Sequence, residues 1–342
     1  HYSVSHIKFV PLQIDRFHMS KSQNLLFIQS IISKDTEKAA DYLKKGADIN
    51  AIGTEHISAL HYVTFHGDLT LCQWLIDNGA SIFAKSSNGG QTPIHVACMK
   101  GNLAALELFH GAWDKMRKDN KIEHVESGKS VPGEADHKTT STPNEPPTKK
   151  RRLNSTANGG NEDAADDTSD EYFGNIQDEN GWTPLICASS FAQLDTMKWL
   201  LEKKAKINLT DHKQRTPLQF VLANSQQPID PRIVEFLLEN GCDPNHQDKD
   251  MRTALHLAVA HERKKAVLRL LILFGIDTKA KDKRGNTAEK IAREMSKEKV
   301  ADFIDSTREL KIGTEWMLQR VNSGKGIPPT KNIPKAAAAR LG

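Results

Sequence analysis

Apolar residues recur along this chain in short bursts at helical spacing, separated by polar turns. Leu71-Cys72-Gln73-Trp74-Leu75-Ile76, Met197-Lys198-Trp199-Leu200-Leu201 and Ile233-Val234-Glu235-Phe236-Leu237-Leu238 each place an apolar stripe along one face of a helix. Several of these helices run into a stop signal. Lys45-Gly46-Ala47-Asp48, Asn78-Gly79-Ala80 and Asn240-Gly241-Cys242-Asp243 put glycine just past the helix end, where a left-handed cap is cheap. A second helical pattern alternates with the first. It opens at Thr92-Pro93-Ile94-His95-Val96-Ala97, Thr183-Pro184-Leu185-Ile186-Cys187-Ala188, Thr216-Pro217-Leu218-Gln219-Phe220-Val221 and Thr253-Ala254-Leu255-His256-Leu257-Ala258. The threonine hydroxyl caps an unpaired N–H of the first turn. Pro93, Pro184 and Pro217 stand where a missing N–H costs nothing. Degraded copies lie at Ser58-Ala59-Leu60-His61-Tyr62-Val63 and Thr287-Ala288-Glu289-Lys290-Ile291-Ala292, and Asp178-Glu179-Asn180-Gly181 and Asp282-Lys283-Arg284-Gly285 supply turn residues between helices.

A T-P-L-H-x-A opening repeated about every 33 residues is the signature of ankyrin repeats. The chain resembles an ankyrin-repeat protein over roughly residues 22–306. The resemblance implies an all-α solenoid of helix–turn–helix units with hairpin tips, in about seven modules. The first module lacks the opening motif, and the last carries Glu289 and Lys290 where core is expected, as terminal units facing water should. Leu60, Ile94, Leu185, Leu218 and Leu255, with Ala97, Ala188 and Ala258 one turn later, are expected to face the neighbouring repeat. In the family the motif histidine bonds within its repeat and ties it to the next hairpin. That makes His61, His95 and His256 structural rather than catalytic or metal-binding. Asn208 and Asn245, with Leu200 and Leu237 eight positions upstream, resemble the hairpin asparagines that the family's asparaginyl hydroxylase modifies; Asn50, with Tyr42 there, should be a poorer substrate.

The period breaks once, between Thr92 and Thr183. This divides the chain into an N-terminal extension, 1–21, expected to be disordered; modules one to three, 22–113; a largely disordered insertion, 114–174; modules four to seven, 175–306; and a basic tail, 307–342. Ser127 to Asp170 is polar and free of aromatics, so it cannot bury enough apolar surface to offset the entropy of ordering. The modules on either side are expected to stack directly. Within the insertion, Lys149, Lys150, Arg151 and Arg152 form a Pro-flanked basic cluster that resembles a nuclear-import signal. It implies an import receptor as partner and a nuclear and cytoplasmic distribution. Arg151-Arg152-Leu153 also resembles a cyclin-docking tripeptide, an acidic run follows from Asn161 to Glu171, and Thr142-Pro143 and Thr168 resemble phosphorylation sites.

Composition narrows the function. Hydrophobic residues make up 38%, mean hydropathy is -0.54 and the net charge of +4 is small for 342 residues. No apolar run approaches the eighteen or so residues of a membrane span, and the N-terminus lacks the apolar region of a signal peptide. Met19-Ser20-Lys21 is a candidate native start. Cys72, Cys98, Cys187 and Cys242 have no paired spacing and read as free thiols. Cys242 with His246, and His256 with His261, fall short of a four-ligand metal set. No catalytic or cofactor motif is present, so no cofactor is expected. The basic residues scatter over turn tips rather than along one helix, which argues against direct nucleic-acid binding.

Trp182, Lys213, Arg215, Lys249, Arg252, Lys283 and Arg284 are expected to form an aromatic-plus-basic surface for an acidic protein segment. Trp182 stands where packing does not need an aromatic. Replacing Arg215 and Arg252, outside the core, should leave folding nearly untouched. The chain therefore reads as a non-enzymatic protein-binding scaffold that enters the nucleus as a regulatory cofactor. Nuclear ankyrin proteins of the inhibitor-of-NF-κB type and fungal cell-cycle cofactors share this general build. The alternative is the N-terminal ankyrin region of a larger channel or enzyme, recruiting partners for it.

Overall fold

The computed structural model describes residues 23–118, 173–224 and 229–307. They form seven helix pairs: α1 (Gln23–Ile32) with α2 (Thr36–Lys44), α3 (Ala59–His66) with α4 (Leu69–Asp77), α5 (Pro93–Lys100) with α6 (Leu103–Lys118), α7 (Pro184–Ser190) with α8 (Leu194–Glu202), α9 (Pro217–Ala223) with α10 (Pro231–Glu239), α11 (Ala254–Ala260) with α12 (Lys265–Leu273), and α13 (Ala288–Glu294) with α14 (Glu298–Ser306). The first helices pack in series, α1 on α3 on α5 on α7 on α9 on α11 on α13. Apart from two isolated bridges, Ile52 with Ser58 and Lys281 with Thr287, the described residues contain no β-pairing.

The motif builds each first helix from its N-terminus. Thr183 and Thr216 accept the backbone N–H groups of Ile186 and Gln219, as their placement before the helix predicts. Extended backbone at Thr92, φ -100° and ψ 164°, aims the chain into the helix. Each central first helix is enclosed on nearly all sides. In α5, residues Pro93 to Met99 are all buried, because the helix has a preceding repeat, a following repeat and its own partner helix around it. Second helices bury only a stripe, such as Ile233, Val234, Leu237 and Leu238 in α10. At the C-terminal end, α13 buries only Ala288 and Ala292, so Glu289 and Lys290 do not enter a core. Gly241 turns away from α10 at φ +90°, whereas Lys204 takes φ +67° after α8 without glycine's freedom.

The break in the period does not interrupt the stack. Helices α5 and α7 pack directly. Glu179 N–H bonds Gly89 O at 3.0 Å, and Gln193 Nε2 bonds Met99 O at 3.4 Å. Helix α6 continues past Trp113 to Lys118, and Phe173 is already fully buried, 5.4 Å from the Trp113 ring and 6.1 Å from that of Trp199. Phe173 closes the core between α6 and α8, which explains an aromatic at the edge of a polar stretch. Residues 119–172, with Lys149, Lys150, Arg151, Arg152 and the acidic run, lie outside the described residues, as do 1–22, 225–228 and 308–342.

Candidate protein-binding surface

Four hairpin tips share one construction. Asp178, Asp211, Asp248 and Asp282 each turn a carboxylate Oδ1 onto two backbone N–H groups, two and four residues on. Those are Asn180 and Trp182, Lys213 and Arg215, Asp250 and Arg252, and Arg284 and Asn286, all at 2.8–2.9 Å. The aspartate thereby fixes the turn and holds its neighbours in register. Single backbone bonds then link tip to tip: His212 N to Asn180 O at 3.0 Å, Lys249 N to Lys213 O at 3.0 Å and Lys283 N to Asp250 O at 2.8 Å. The approach is close enough that a Cβ on Gly181 would sit 2.7 Å from His212 N.

The second carboxylate oxygen separates the tips. Asp211 Oδ2 accepts Arg215 Nε at 2.9 Å and Nη2 at 2.6 Å. Asp248 Oδ2 accepts the same pair from Arg252 at 2.9 and 2.8 Å. Both aspartates are almost wholly buried, with side-chain exposures of 2% and 1%. Arg215 and Arg252 are therefore not spare surface charges. They neutralise buried carboxylates, and the expectation that folding ignores them is corrected: truncation would strand a buried anion. Trp182 is corrected in the same way. It is half-buried and meets the Phe220 ring edge-on at 4.9 Å, while the Arg215 guanidinium covers Phe220 at 4.2 Å. The aromatic does pack, against the next repeat.

Lys213, Lys249, Lys283 and Arg284 are exposed on the tips. For Lys249, Lys283 and Arg284, no ion pair is formed among the described residues; Lys279 and Lys281 extend the same exposed run. Asp277 Oδ1 accepts the backbone N–H of Lys279, and Asp282 Oδ1 those of Arg284 and Asn286.

The motif histidines stand beneath these tips. Nε2 of His61, His95 and His256 lies 2.8, 2.9 and 3.1 Å from the carbonyl oxygens of Gln91, Trp182 and Asn286 in the following hairpins. Carbonyls only accept, so Nε2 carries the proton and Nδ1 accepts, from the backbone N–H of Ser58, Thr92 and Thr253. Burial holds all three neutral: it lowers His61 to about 4 and lowers His95 and His256, with nearby Asp178 on the one and Asp282 and Asp248 on the other opposing the shift. With both nitrogens engaged, these rings have no free base for chemistry. In the fifth module Gln219 does the same work: Oε1 accepts Thr216 N–H at 3.0 Å and Nε2 donates to Arg252 O at 2.8 Å.

Asn208 and Asn245 bridge neighbouring hairpins. Their amides donate to Gly241 O at 3.0 Å and Gly275 O at 3.1 Å, and accept the N–H of Asp243 and Asp277. Asn50 accepts Ser81 N–H at 2.8 Å. Asn175 belongs to this set and was missed in the sequence, although it stands as far before Thr183 as Asn208 stands before Thr216. It accepts Lys206 N–H at 2.9 Å, but its own Nδ2 is buried without a partner. All four cysteines are buried; desolvation pushes the thiols up, Cys72 to about 11 and Cys242 to about 12. Such thiols are neither nucleophiles nor ready metal ligands. Among the described residues no group of three His, Cys, Asp or Glu side chains could hold a metal, and no helix is long and apolar enough to cross a membrane.

Two family models match this chain. One for ankyrin repeats in three copies matches residues 221–308, and one for ankyrin repeats in many copies matches 66–110 and 187–238. Mouse Rabankyrin-5 is 32% identical over 119 residues, covering 32% of this chain and 10% of that protein. Human diacylglycerol kinase iota is 28% identical over 99 residues, covering 28% and 9%. The Drosophila melanogaster transient receptor potential channel pyrexia is 35% identical over 89 residues, covering 25% and 9%. The chain spans about a tenth of the length of these curated relatives. Among solved structures, the ankyrin repeat domain of Bcl-3, described as a unique member of the IkappaB protein family, is similar at a TM-score of 0.51 and 18% identity, over 78% of this chain and 92% of that one. The ankyrin repeat domain of human ASB11 is similar at 0.52 and 17%, over 81% and 96%. At such identities the likeness is one of fold.

Proposed function

We propose, from the premise that this chain belongs to the ankyrin-repeat family, that it is a non-enzymatic scaffold whose last hairpin tips take up an acidic segment of a protein partner, and that it works as a regulatory cofactor able to enter the nucleus. Ankyrin repeats are protein-interaction modules, and their surfaces are adapted one by one on a shared frame. The observation that carries the acidic-partner reading is the run of exposed cations without ion pairs, Lys249, Lys283 and Arg284, flanked by Lys279 and Lys281. Arg215 and Arg252 contribute to the same surface while bound to their own aspartates, so less of their charge is available to a partner. Lys213 and Trp182 stand beside them.

The triple variant Lys249→Glu, Lys283→Glu, Arg284→Glu should lose most of its affinity for a partner recovered by affinity capture, and its binding should no longer weaken with salt. Its melting temperature should stay within about two degrees of wild type, because exposed charges without partners contribute little to stability. Titrations at low and high salt measure this. Unchanged affinity and salt slope would move the partner to another surface.

Nuclear entry rests on Lys149, Lys150, Arg151 and Arg152. Changing all four to alanine should shift a fluorescently tagged chain towards the cytoplasm without altering its melting temperature. An unchanged distribution on imaging rejects the signal.

A second reading is favoured by one observation: the relatives are far longer than this chain and include a kinase and a channel. On that reading the repeats recruit partners for a larger enzyme or channel. Transcripts that continue the reading frame into a kinase domain or membrane spans would establish it.

A further inference from the structure

The tip of the fourth module lacks a part that the next two modules supply themselves. Asp178 makes the same two backbone bonds through Oδ1 as Asp211 and Asp248 do, and it is only 6% exposed. Its Oδ2 is buried and has no hydrogen-bond partner. In the fifth and sixth modules that oxygen is covered by the arginine four residues on, Arg215 or Arg252, through two N–H bonds. Here the fourth residue on is Trp182, which has no cation to offer. No neighbour replaces it. His95, beneath the tip, is neutral and spends its proton on the carbonyls of Trp182 and Ile176. Lys85 is exposed; its charge reaches His95, yet it forms no ion pair with Asp178. A buried anion without a counter-charge is among the most costly arrangements a fold retains. Local rules are broken in this way chiefly where a ligand completes them.

We propose that the fourth hairpin receives an arginine side chain from a bound protein, with the Asp178 carboxylate as its anion and the Trp182 indole as its aromatic wall. This rests on the reading that the hairpin tips take up a protein, and it adds to that reading a basic contact of opposite polarity to the lysine-rich tips. The neighbouring modules show the geometry to be reproduced. Arg215 sets Nε and Nη2 on a carboxylate oxygen while its guanidinium lies 4.2 Å from the centre of the Phe220 ring. Trp182 packs edge-to-face with Phe220, 4.9 Å between ring centres, and occupies the position four residues on that Arg215 and Arg252 hold in the next two tips, so its ring is placed to wall the arriving cation. Arginine fits better than lysine, because its planar fork pairs with a carboxylate while stacking on a ring.

The test uses N-acetyl-arginine-N-methylamide and its neutral citrulline counterpart as probes, with the full chain and ligand-observed NMR. The arginine probe should bind saturably and the citrulline probe should not. Asp178→Asn keeps the Oδ1 acceptor for the turn and removes the charge; it should weaken binding at least tenfold while the melting temperature holds or rises. Trp182→Arg supplies the cation within the chain; it should raise the melting temperature and abolish binding. Equal binding of both probes, or unchanged affinity in Asp178→Asn, overturns the proposal, and Asp178→Asn alone decides if Trp182→Arg fails to fold. The Lys249, Lys283 and Arg284 triple variant should bind the arginine probe as wild type does, so loss of the acidic-partner reading and loss of this one are separate results.

Discussion

Arg215→Glu is expected to destabilise the protein by about 3 kcal/mol, and Arg252→Glu by about 2 kcal/mol. Each change removes two N–H bonds from an aspartate that is almost wholly buried and sets a second negative charge beside it. Arg215 is the more costly because it is less exposed, 23% against 38%, and because its guanidinium also covers Phe220. Alanine at either position should cost roughly half as much, leaving the anion unpaired without adding repulsion. Urea denaturation at neutral pH measures the loss as a lower midpoint at constant slope. Because the pairs are enclosed, molar salt should restore little of it. A midpoint unchanged from wild type would mean that water replaces the guanidinium at no cost. The same two variants therefore cannot report cleanly on binding, whereas Lys249, Lys283 and Arg284 can.

Stability should also fall as pH drops from 7 towards 4. The unfolded chain's histidines take up a proton near pH 6.5. In the folded chain burial lowers His61 to about 4, and His95 and His256 are lowered too. Between 6.5 and about 4 the unfolded state binds a proton that native His61 refuses, so this residue makes stability rise with pH at about 1.4 kcal/mol per pH unit, and His95 and His256 act in the same direction. His61 alone amounts to about 3 kcal/mol across the window. His110 and His261, less buried, act in the same direction. Carboxylates lowered by their partners, such as Asp68 beside Lys34, matter only at lower pH. The protein contains its own control. Gln219 makes the histidine's two contacts without a titratable group, so the triple variant His61→Gln, His95→Gln, His256→Gln should fold and flatten the dependence between pH 5 and 7. Unfolding free energies at those two pH values decide. A triple variant that keeps the wild-type slope would assign it to other groups.

What could be read in the sequence was local. Threonine before Pro184 or Pro217 announces its cap, because a cap and its target are three residues apart. Ala97, Ala188 and Ala258, one turn into their helices, announce the packing face for the same reason. The misreadings have non-local causes. Arg215 looks like any tip charge until the backbone bonds of adjacent hairpins close over Asp211. Trp182 looks idle because its contact, Phe220, belongs to the next module. Phe173 ends a long polar stretch, and nothing near it in sequence shows that Trp113 and Trp199 await it. Asn175 follows the spacing of Asn208 and Asn245, but with Lys204 in place of glycine at the next turn its pattern is blurred.

The bonds that pass from tip to tip, and from His95 to Trp182, join neighbouring repeats without using the chain that connects them. Tension applied along the stack is carried from the third repeat to the fourth through α5 against α7 and through Met99 and Gln193, whatever route the covalent chain takes between Lys118 and Phe173. Severing the covalent chain between Lys118 and Phe173 should therefore leave the third and fourth repeats joined by these contacts.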